Sequence, residues 1–171
     1  MRNLIFLFLL LPIGLLAQRD SVYVKTDIFT AVYSEVLQQP KWVTYTVQCP
    51  NGKTPRTGMD FYTVPDIITP DNADYVDNVY DKGHCAPAAD FNCTKEMLYK
   101  TFSYVNCVLQ NQYLNRGVWR LLEAYERDLA ATTGVTVKIK MVYSKTSIKL
   151  PTGATVPDGF YKIIKIGRAH V

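Results

Sequence analysis

The chain has 171 residues, of which 48% are hydrophobic and 20% charged, with a formal net charge of +4. That is enough for one domain and too little for two comfortable ones, and the apolar fraction excludes a disordered chain. The charge is too mild to mark a nucleic-acid binder by itself, so any phosphate recognition has to be local.

Arg2 opens the chain, Leu4 to Leu16 is almost wholly apolar, and Leu16-Ala17-Gln18 offers a small-residue exit. Residues 1–17 therefore read as a secretory signal peptide, too short and wrongly flanked for a membrane span. A lipoprotein anchor would need a cysteine where Gln18 stands. The expected product is one exported domain over residues 18–165, secreted or periplasmic, with no membrane contact after cleavage. Loss of Arg2, the one charge in the leader, takes the net charge from +4 to about +3. All four cysteines (Cys49, Cys85, Cys93, Cys107) lie in this domain. An even count in an exported protein favours two disulfides with three pairings open. A zinc site is the weaker reading, because no C-x2-C spacing supports it.

In chain order, residues 21–48 read as strands. Trp42 to Val47 is rich in aromatic and β-branched residues, and Ile28 to Tyr33 pairs with it across Gln38-Gln39-Pro40. Residues 49–58 are turn-rich, with Pro50-Asn51-Gly52 and Pro55, and carry Arg56. Pro65 and Pro70 keep Asp60 to Asp77 irregular, a long loop of the kind that carries function when ordered. Asn78 to His84 forms a short strand, Thr94 to Thr101 a short helix capped by Asn92 or Thr94, and Phe102 to Cys107 another strand. Asn115 to Ala131 is the clearest helix. Val118, Trp119, Leu122, Tyr125 and Leu129 recur at three- and four-residue steps there, and Thr132-Thr133-Gly134 ends it. Val135 to Tyr143 alternates apolar residues with Thr136, Lys138 and Lys140, as a half-buried strand does, and Gly159 to Lys165 begins a further strand.

The last six residues, Ile166 to Val171, match the translation of a common sequencing-adapter stretch. The expectation is that the native protein continues beyond Lys165 and that residues 166–171 are an artefact, so His170 carries no functional weight.

The chemistry gathers around Tyr80-Asp-Lys-Gly-His-Cys-Ala-Pro-Ala-Ala-Asp-Phe91. Gly83 allows the backbone a close approach that a side chain would block, and the neutral imidazole of His84 can remove a proton near pH 7. Asn115 and Glu123, eight residues apart, lie on nearby faces of one helix two turns from each other. Their oxygens suit a hard cation such as Mg2+, with waters filling the remaining positions. Each residue alone has a plainer explanation. His84 can be packing, Asn115 a helix N-cap, Glu123 a partner of Arg120 or Arg127 on a solvated face, and Arg56 an exposed loop charge.

Together the motifs are specific. Asp81-Lys-Gly-His84, Asn106, and Leu114-Asn-Arg-Gly-Val-Trp-Arg-Leu-Leu-Glu123, with Arg56 and Asp60-Phe61 upstream, resemble the DNA/RNA non-specific endonucleases. This is the ββα-metal family of endonuclease G and Serratia nuclease type, and the likeness runs from about Trp42 to Lys165. It implies an α+β, ββα-metal (His-Me finger) fold with an antiparallel sheet core and flanking helices. It further implies hydrolysis of DNA and RNA phosphodiesters to 5′-phosphate products, with one divalent ion, Mg2+ or alternatively Mn2+. In that reading His84 is the general base, Asn115 the direct ligand of the ion, and Glu123 a hydrogen-bond partner of the water around it. Arg56 steadies the phosphate, while Asp81, Lys82 and Asn106 support the site. The alternative is a nuclease-fold module that binds nucleic acid with weak or no catalysis. Homodimerisation stays open.

Three positions depart from the family's pattern. Lys82 stands where arginine is common and loses the planar fork that grips phosphate with two bonds. Cys85 replaces a commonly apolar residue, and Leu109 stands where proline is frequent. If His84 and Asn106 face the site from adjacent extended segments, alternation sends Cys85 and Cys107 together to the opposite face. The expected pairing is therefore Cys85–Cys107 and Cys49–Cys93.

Overall fold

A computed structural model describes residues 17–167, so residues 1–16 of the expected leader and 168–171 of the tail lie outside the described residues. The described residues form seven strands: β1 (Val22–Lys25), β2 (Phe29–Ser34), β3 (Gln39–Thr46), β4 (Tyr80–His84), β5 (Cys107–Asn111), β6 (Val135–Val142) and β7 (Gly159–Ile166). In β6, Val135, Val137, Ile139 and Met141 are buried while Lys138 and Lys140 are exposed, as the alternation requires.

Five strands form one antiparallel sheet in the order β1-β2-β3-β6-β7, and β4 and β5 form a separate antiparallel ribbon. One core joins them. Phe29, Ala31, Tyr33, Val43, Tyr45 and Val137 from the sheet meet Cys85, Phe91, Val105 and Val108 from the ribbon side. Each large apolar side chain buried there contributes roughly 1.5–3 kcal/mol. The ribbon is also tied to the sheet by one polar bond: the Leu109 amide donates to Oε1 of the buried Gln39 at 2.9 Å. A proline at 109 lacks that donor, so the leucine found here has a local use.

Three helical pieces complete the frame: α1 (Lys95–Lys100), α2 (Gln112–Leu114) and α3 (Arg120–Ala130). The Thr94 hydroxyl caps α1 by accepting from the Met97 amide at 3.2 Å. Between α2 and α3, Asn115–Trp119 form a wide π-type turn in which Gly117 leaves helical geometry. The helix thus begins earlier than its apolar pattern indicates. Asn111 accepts from the Tyr113 amide at 2.9 Å and is the N-cap, which frees Asn115 from that duty.

Other expectations are corrected in detail. The β2–β3 turn falls at Glu35 to Gln38, with Gln38 at φ 52°, and Pro40 lies inside β3. Pro40 is tolerated because β6 pairs with β3 only from Trp42 onward, so no ladder donor is needed at position 40. Phe102 to Cys107 is not a strand. Ser103 caps a short 3-10 turn over Tyr104–Asn106, and β5 starts at Cys107.

The disulfide expectation divides. Cys49 and Cys93 are bonded, with Cα atoms 5.5 Å apart, while Cys85 and Cys107 are free and buried. The register explains the failure of the second pair. Cys107 sits directly opposite His84 across the ribbon, so those two share a face and Cys85 points to the other. The Cys107 thiol meets the Tyr75 hydroxyl at 3.2 Å instead.

Candidate active site

His84 is the last residue of β4, and its position is fixed from both sides of the backbone. The buried Asn106 clamps the chain just beyond it. Its Oδ1 accepts from the Ala86 amide at 2.8 Å, and its Nδ2 donates to the carbonyls of Ala86 and Thr101, each at 2.9 Å. Just before it, Gly83 is needed for space. A Cβ there would lie 2.4 Å from the Gln110 Oε1 and 2.8 Å from the Gln110 Cβ of the neighbouring strand.

The imidazole is held between rings, with centroids 4.6 Å from Phe61 and 4.8 Å from Phe102. Its Nε2 is shielded and has no hydrogen-bond partner among the described residues. Burial, and secondarily the positive charge of Arg56, push its pKa from the ordinary 6.5 down to about 3. The ring is therefore neutral across the physiological range, as a base must be.

Beyond the ribbon, a cavity of about 590 Å³ is lined by Arg56, Phe61, Lys82, His84, Phe102, Asn115, Arg116, Arg120 and Glu123. Three separate segments thus bring the sequence-predicted His84, Arg56, Asn115 and Glu123 to one space. Asp81 orders one wall of it. Its Oδ2 accepts from Asn115 Nδ2 at 2.9 Å and from Arg116 Nε at 2.9 Å, while its Oδ1 accepts from Arg116 Nη2 at 2.6 Å. Because the Asn115 amide nitrogen is committed to Asp81, the amide's orientation is set and its Oδ1 is the atom left for a ligand. Arg116, with support from Asn115, holds the Asp81 carboxyl below its usual range.

Glu123 lines the cavity with no ion pair among the described residues; Arg127 pairs with Asp90 instead, and Arg120 donates only its Nε, to the Arg116 carbonyl. Burial raises its pKa from 4.5 to about 7, against the opposing pull of Lys162. Lys82 is turned away from a phosphate-gripping posture. Its ammonium binds Asp60 at 2.7 Å and also Asn72, within 6.0 Å of the Phe61, Tyr75 and Tyr104 ring centres. A second cavity of about 470 Å³, near Trp119 and Phe160, has no basic residue in its wall and does not suit phosphate.

A family model described as DNA/RNA non-specific endonuclease matches residues 12–170. The chain belongs to the DNA/RNA non-specific endonuclease family. Among its relatives, a mitochondrial nuclease EXOG of Danio rerio is 32% identical over 102 residues, covering 57% of this chain and 30% of the relative. Mitochondrial endonuclease G of Bos taurus is 33% identical over 101 residues, covering 58% and 32%. The chain thus spans about a third of the length of these curated relatives. In three dimensions it is similar to a chain in the crystal structure of the EndoG/EndoGI complex. The TM-score is 0.71 at 26% identity, over 83% of this chain and 66% of that one. The α+β, ββα-metal nuclease fold is the one present here, with β4 and β5 as the two strands and the segment from Gln112 to Ala130 as the helix.

The family's divalent ion can be tested against the residues that would hold it. Among the described residues no cluster of three or more His, Cys, Asp or Glu side chains could cage a metal. What the cavity offers is one free amide oxygen on Asn115 and one partly buried, unpaired carboxylate on Glu123. Few, hard oxygen donors beside open volume fit Mg2+, which keeps most of its waters, and do not fit a zinc-type site.

Sequence reasoning missed Arg116 and Arg120 as cavity residues, although their spacing from Glu123 places all three along one side of the helix. It also missed the support behind Glu123. Glu126 is fully buried, accepts from the Tyr45 hydroxyl at 2.7 Å and ion-pairs with Lys162 Nζ at 2.6 Å. The Lys162 ammonium lies 4.5 Å from the Trp119 ring centre. Asp90, next to last in the central motif, is buried and accepts from Arg127 at 2.9 Å.

Proposed function

We propose that this protein is an exported, sugar-non-specific endonuclease that hydrolyses phosphodiester bonds in DNA and RNA and leaves 5′-phosphate ends. The observation that carries this reading is the convergence of His84, Arg56, Asn115 and Glu123 on one cavity from separate parts of the chain. Hydrolysis needs an activated water, cations for the charge that builds on the phosphoryl oxygens, and help for the departing oxygen.

His84 takes the proton from the attacking water. With Nε2 shielded, Nδ1 is the nitrogen able to meet that water. Phe61 and Phe102 hold the ring in place and exclude bulk solvent from one side of it. Arg56 is exposed, lines the same cavity and sits close enough to act electrostatically on His84, so its guanidinium can grip the reacting phosphate. Asn115 and Glu123 would hold Mg2+, or Mn2+ in its place, which when bound supplies Lewis-acid charge neutralisation. Asp81 keeps the Asn115 oxygen turned for that task. Contacts made to phosphate position a nucleic acid without reading its bases, and this accounts for action on both DNA and RNA.

Export is supported by the apolar leader and by the Cys49–Cys93 bond, which persists in oxidising compartments. The deciding experiment incubates the mature protein, and His84→Ala beside it, with plasmid and with RNA in Mg2+ or in chelator. Cleavage of both substrates only with metal and only by the unmodified protein is expected. Intact substrates throughout, or equal cutting by the variant, would end this reading.

A further inference from the structure

We propose that Arg120 forms a second phosphate subsite beside the reacting one, so that the protein grips two phosphates of a polynucleotide and not one. This rests on the phosphodiesterase reading of the cavity and adds to it the length of substrate that the cavity recognises.

Four cations line the cavity: Arg56, Lys82, Arg116 and Arg120. Two of them are committed to carboxylates, Lys82 to Asp60 at 2.7 Å and Arg116 to Asp81 at 2.6 Å. Arg56 and Arg120 have no ion pair among the described residues. The Arg120 Nε donates to the Arg116 carbonyl at 3.2 Å, and its two Nη groups have no hydrogen-bond partner among the described residues. Those groups offer the planar fork that matches the oxygens of a phosphate.

Arg120 and Glu123 are three residues apart on α3 and so are neighbours on its surface. Yet the two free guanidiniums sit differently. Arg56 stands on a separate loop segment and acts electrostatically on His84, whereas Arg120 is an exposed side chain on the first residue of α3. Arg120 therefore flanks the reacting site on the helix side of the cavity, where the next phosphate of a bound strand can pass.

The test uses the mature full-length gene product and two substrates, a dinucleoside monophosphate with a single phosphodiester and a fluorescent single-stranded 12-mer. Arg120→Ala should raise KM for the 12-mer by about tenfold with little change in kcat, and the loss should be at least fivefold smaller on the dinucleoside monophosphate. The slope of log(kcat/KM) against log[salt] on the 12-mer should become shallower by about 0.7, the value for one lost single-strand phosphate contact. Arg120→Lys should recover part of the KM and the salt slope. An equal loss on both substrates, or an unchanged KM for the 12-mer, overturns the subsite.

Binding of the uncleaved 12-mer in chelator is measured alongside by anisotropy, so that the subsite and the nuclease reading fail separately. If the unmodified protein cuts nothing yet Arg120→Ala binds the 12-mer about tenfold more weakly, the subsite stands and the catalytic reading falls. If the two bind equally, the subsite falls whatever the cleavage result.

Discussion

Glu123 and Glu126 stand one helical turn apart on α3 and have opposite fates. Glu126 faces inward and is fully buried, yet the Tyr45 hydroxyl and the Lys162 ammonium meet its carboxylate. Glu123 faces the cavity, is less enclosed, and has no ion pair. The helix thus presents one carboxylate whose charge has been satisfied by the fold and one whose charge has been left unsatisfied. An unpaired carboxylate in a partly dry wall is costly for the protein alone. It is useful only to something that arrives with positive charge. The difference between packed wall and cavity wall therefore separates what holds the molecule together from what it does.

The largest expected effect removes the base from the cavity wall. His84→Ala should lower cleavage by about 10²–10⁴-fold while leaving the thermal midpoint close to that of the parent. A midpoint that collapses with the activity would place His84 on the packed side of the comparison. On that packed side, Lys162→Met strands the Glu126 carboxylate and should destabilise the fold by about 3–5 kcal/mol, a fall in midpoint on the order of 10 °C. The double variant Glu126→Gln/Lys162→Met should regain most of it, because no buried charge is then left alone. Equal instability of the single and double variants would show that the pair's charges are not what matters.

Asp81 lies between the two walls. Asp81→Ala frees the Asn115 amide and should weaken Mn2+ binding by about 10–100-fold, as loss of a group that orients a ligand does. Titration calorimetry with unchanged affinity would remove Asp81 from that role.

The smallest effect concerns pH. Glu123 titrates near 7 in the folded protein against an ordinary 4.5, so the folded state holds the extra proton between those values. Stability falls as pH rises through that window, and the cost is fully present above about 7. Glu123→Gln should accordingly raise the midpoint at pH 8 by a few degrees, on the scale of about 2–4 °C per kcal/mol, while cleavage is lost. At limiting Mg2+ the parent's activity should rise with pH through about 7, and excess Mg2+ should move that rise to lower pH. Because His84 titrates near 3, it does not produce this limb.

Much of this was legible in the residues themselves. The alternation of Val135 to Met141 reports a one-sided strand because burial on one face of a sheet selects side chains two apart. The motif residues His84, Asn115, Glu123 and Arg56, which the family resemblance groups together, line one cavity. The misses have a common cause, side chains that take over backbone duties. Asn111 supplies the cap that the pattern assigns to Asn115, and Ser103 starts the turn that interrupts an apolar run read as strand. The Cys85–Cys107 pairing failed for a different reason. It depended on register, and one position of register decides which face a side chain takes. The pairing of Glu126 with Lys162 joins two elements far apart in sequence, and no local pattern announces it.

Gly83 has a further consequence, in how the sequence is free to drift. Gly83 is not demanded by a left-handed backbone; among the described residues only Gly58 and Gly153 have positive φ among the glycines. Its hydrogen side chain answers to Gln110, which crosses over it from β5. The neighbouring strand therefore fixes glycine at 83 through the Gln110 Cβ and the Val108 carbonyl as well as the Gln110 amide. An alanine at 83 would press on the Gln110 Cβ at 2.8 Å and the Val108 carbonyl oxygen at 3.2 Å, so shortening residue 110 removes the clash with its Oε1 and leaves the others. The motif's glycine is anchored by a strand outside the motif, so it should stay glycine while the end of the residue 110 side chain is free to vary.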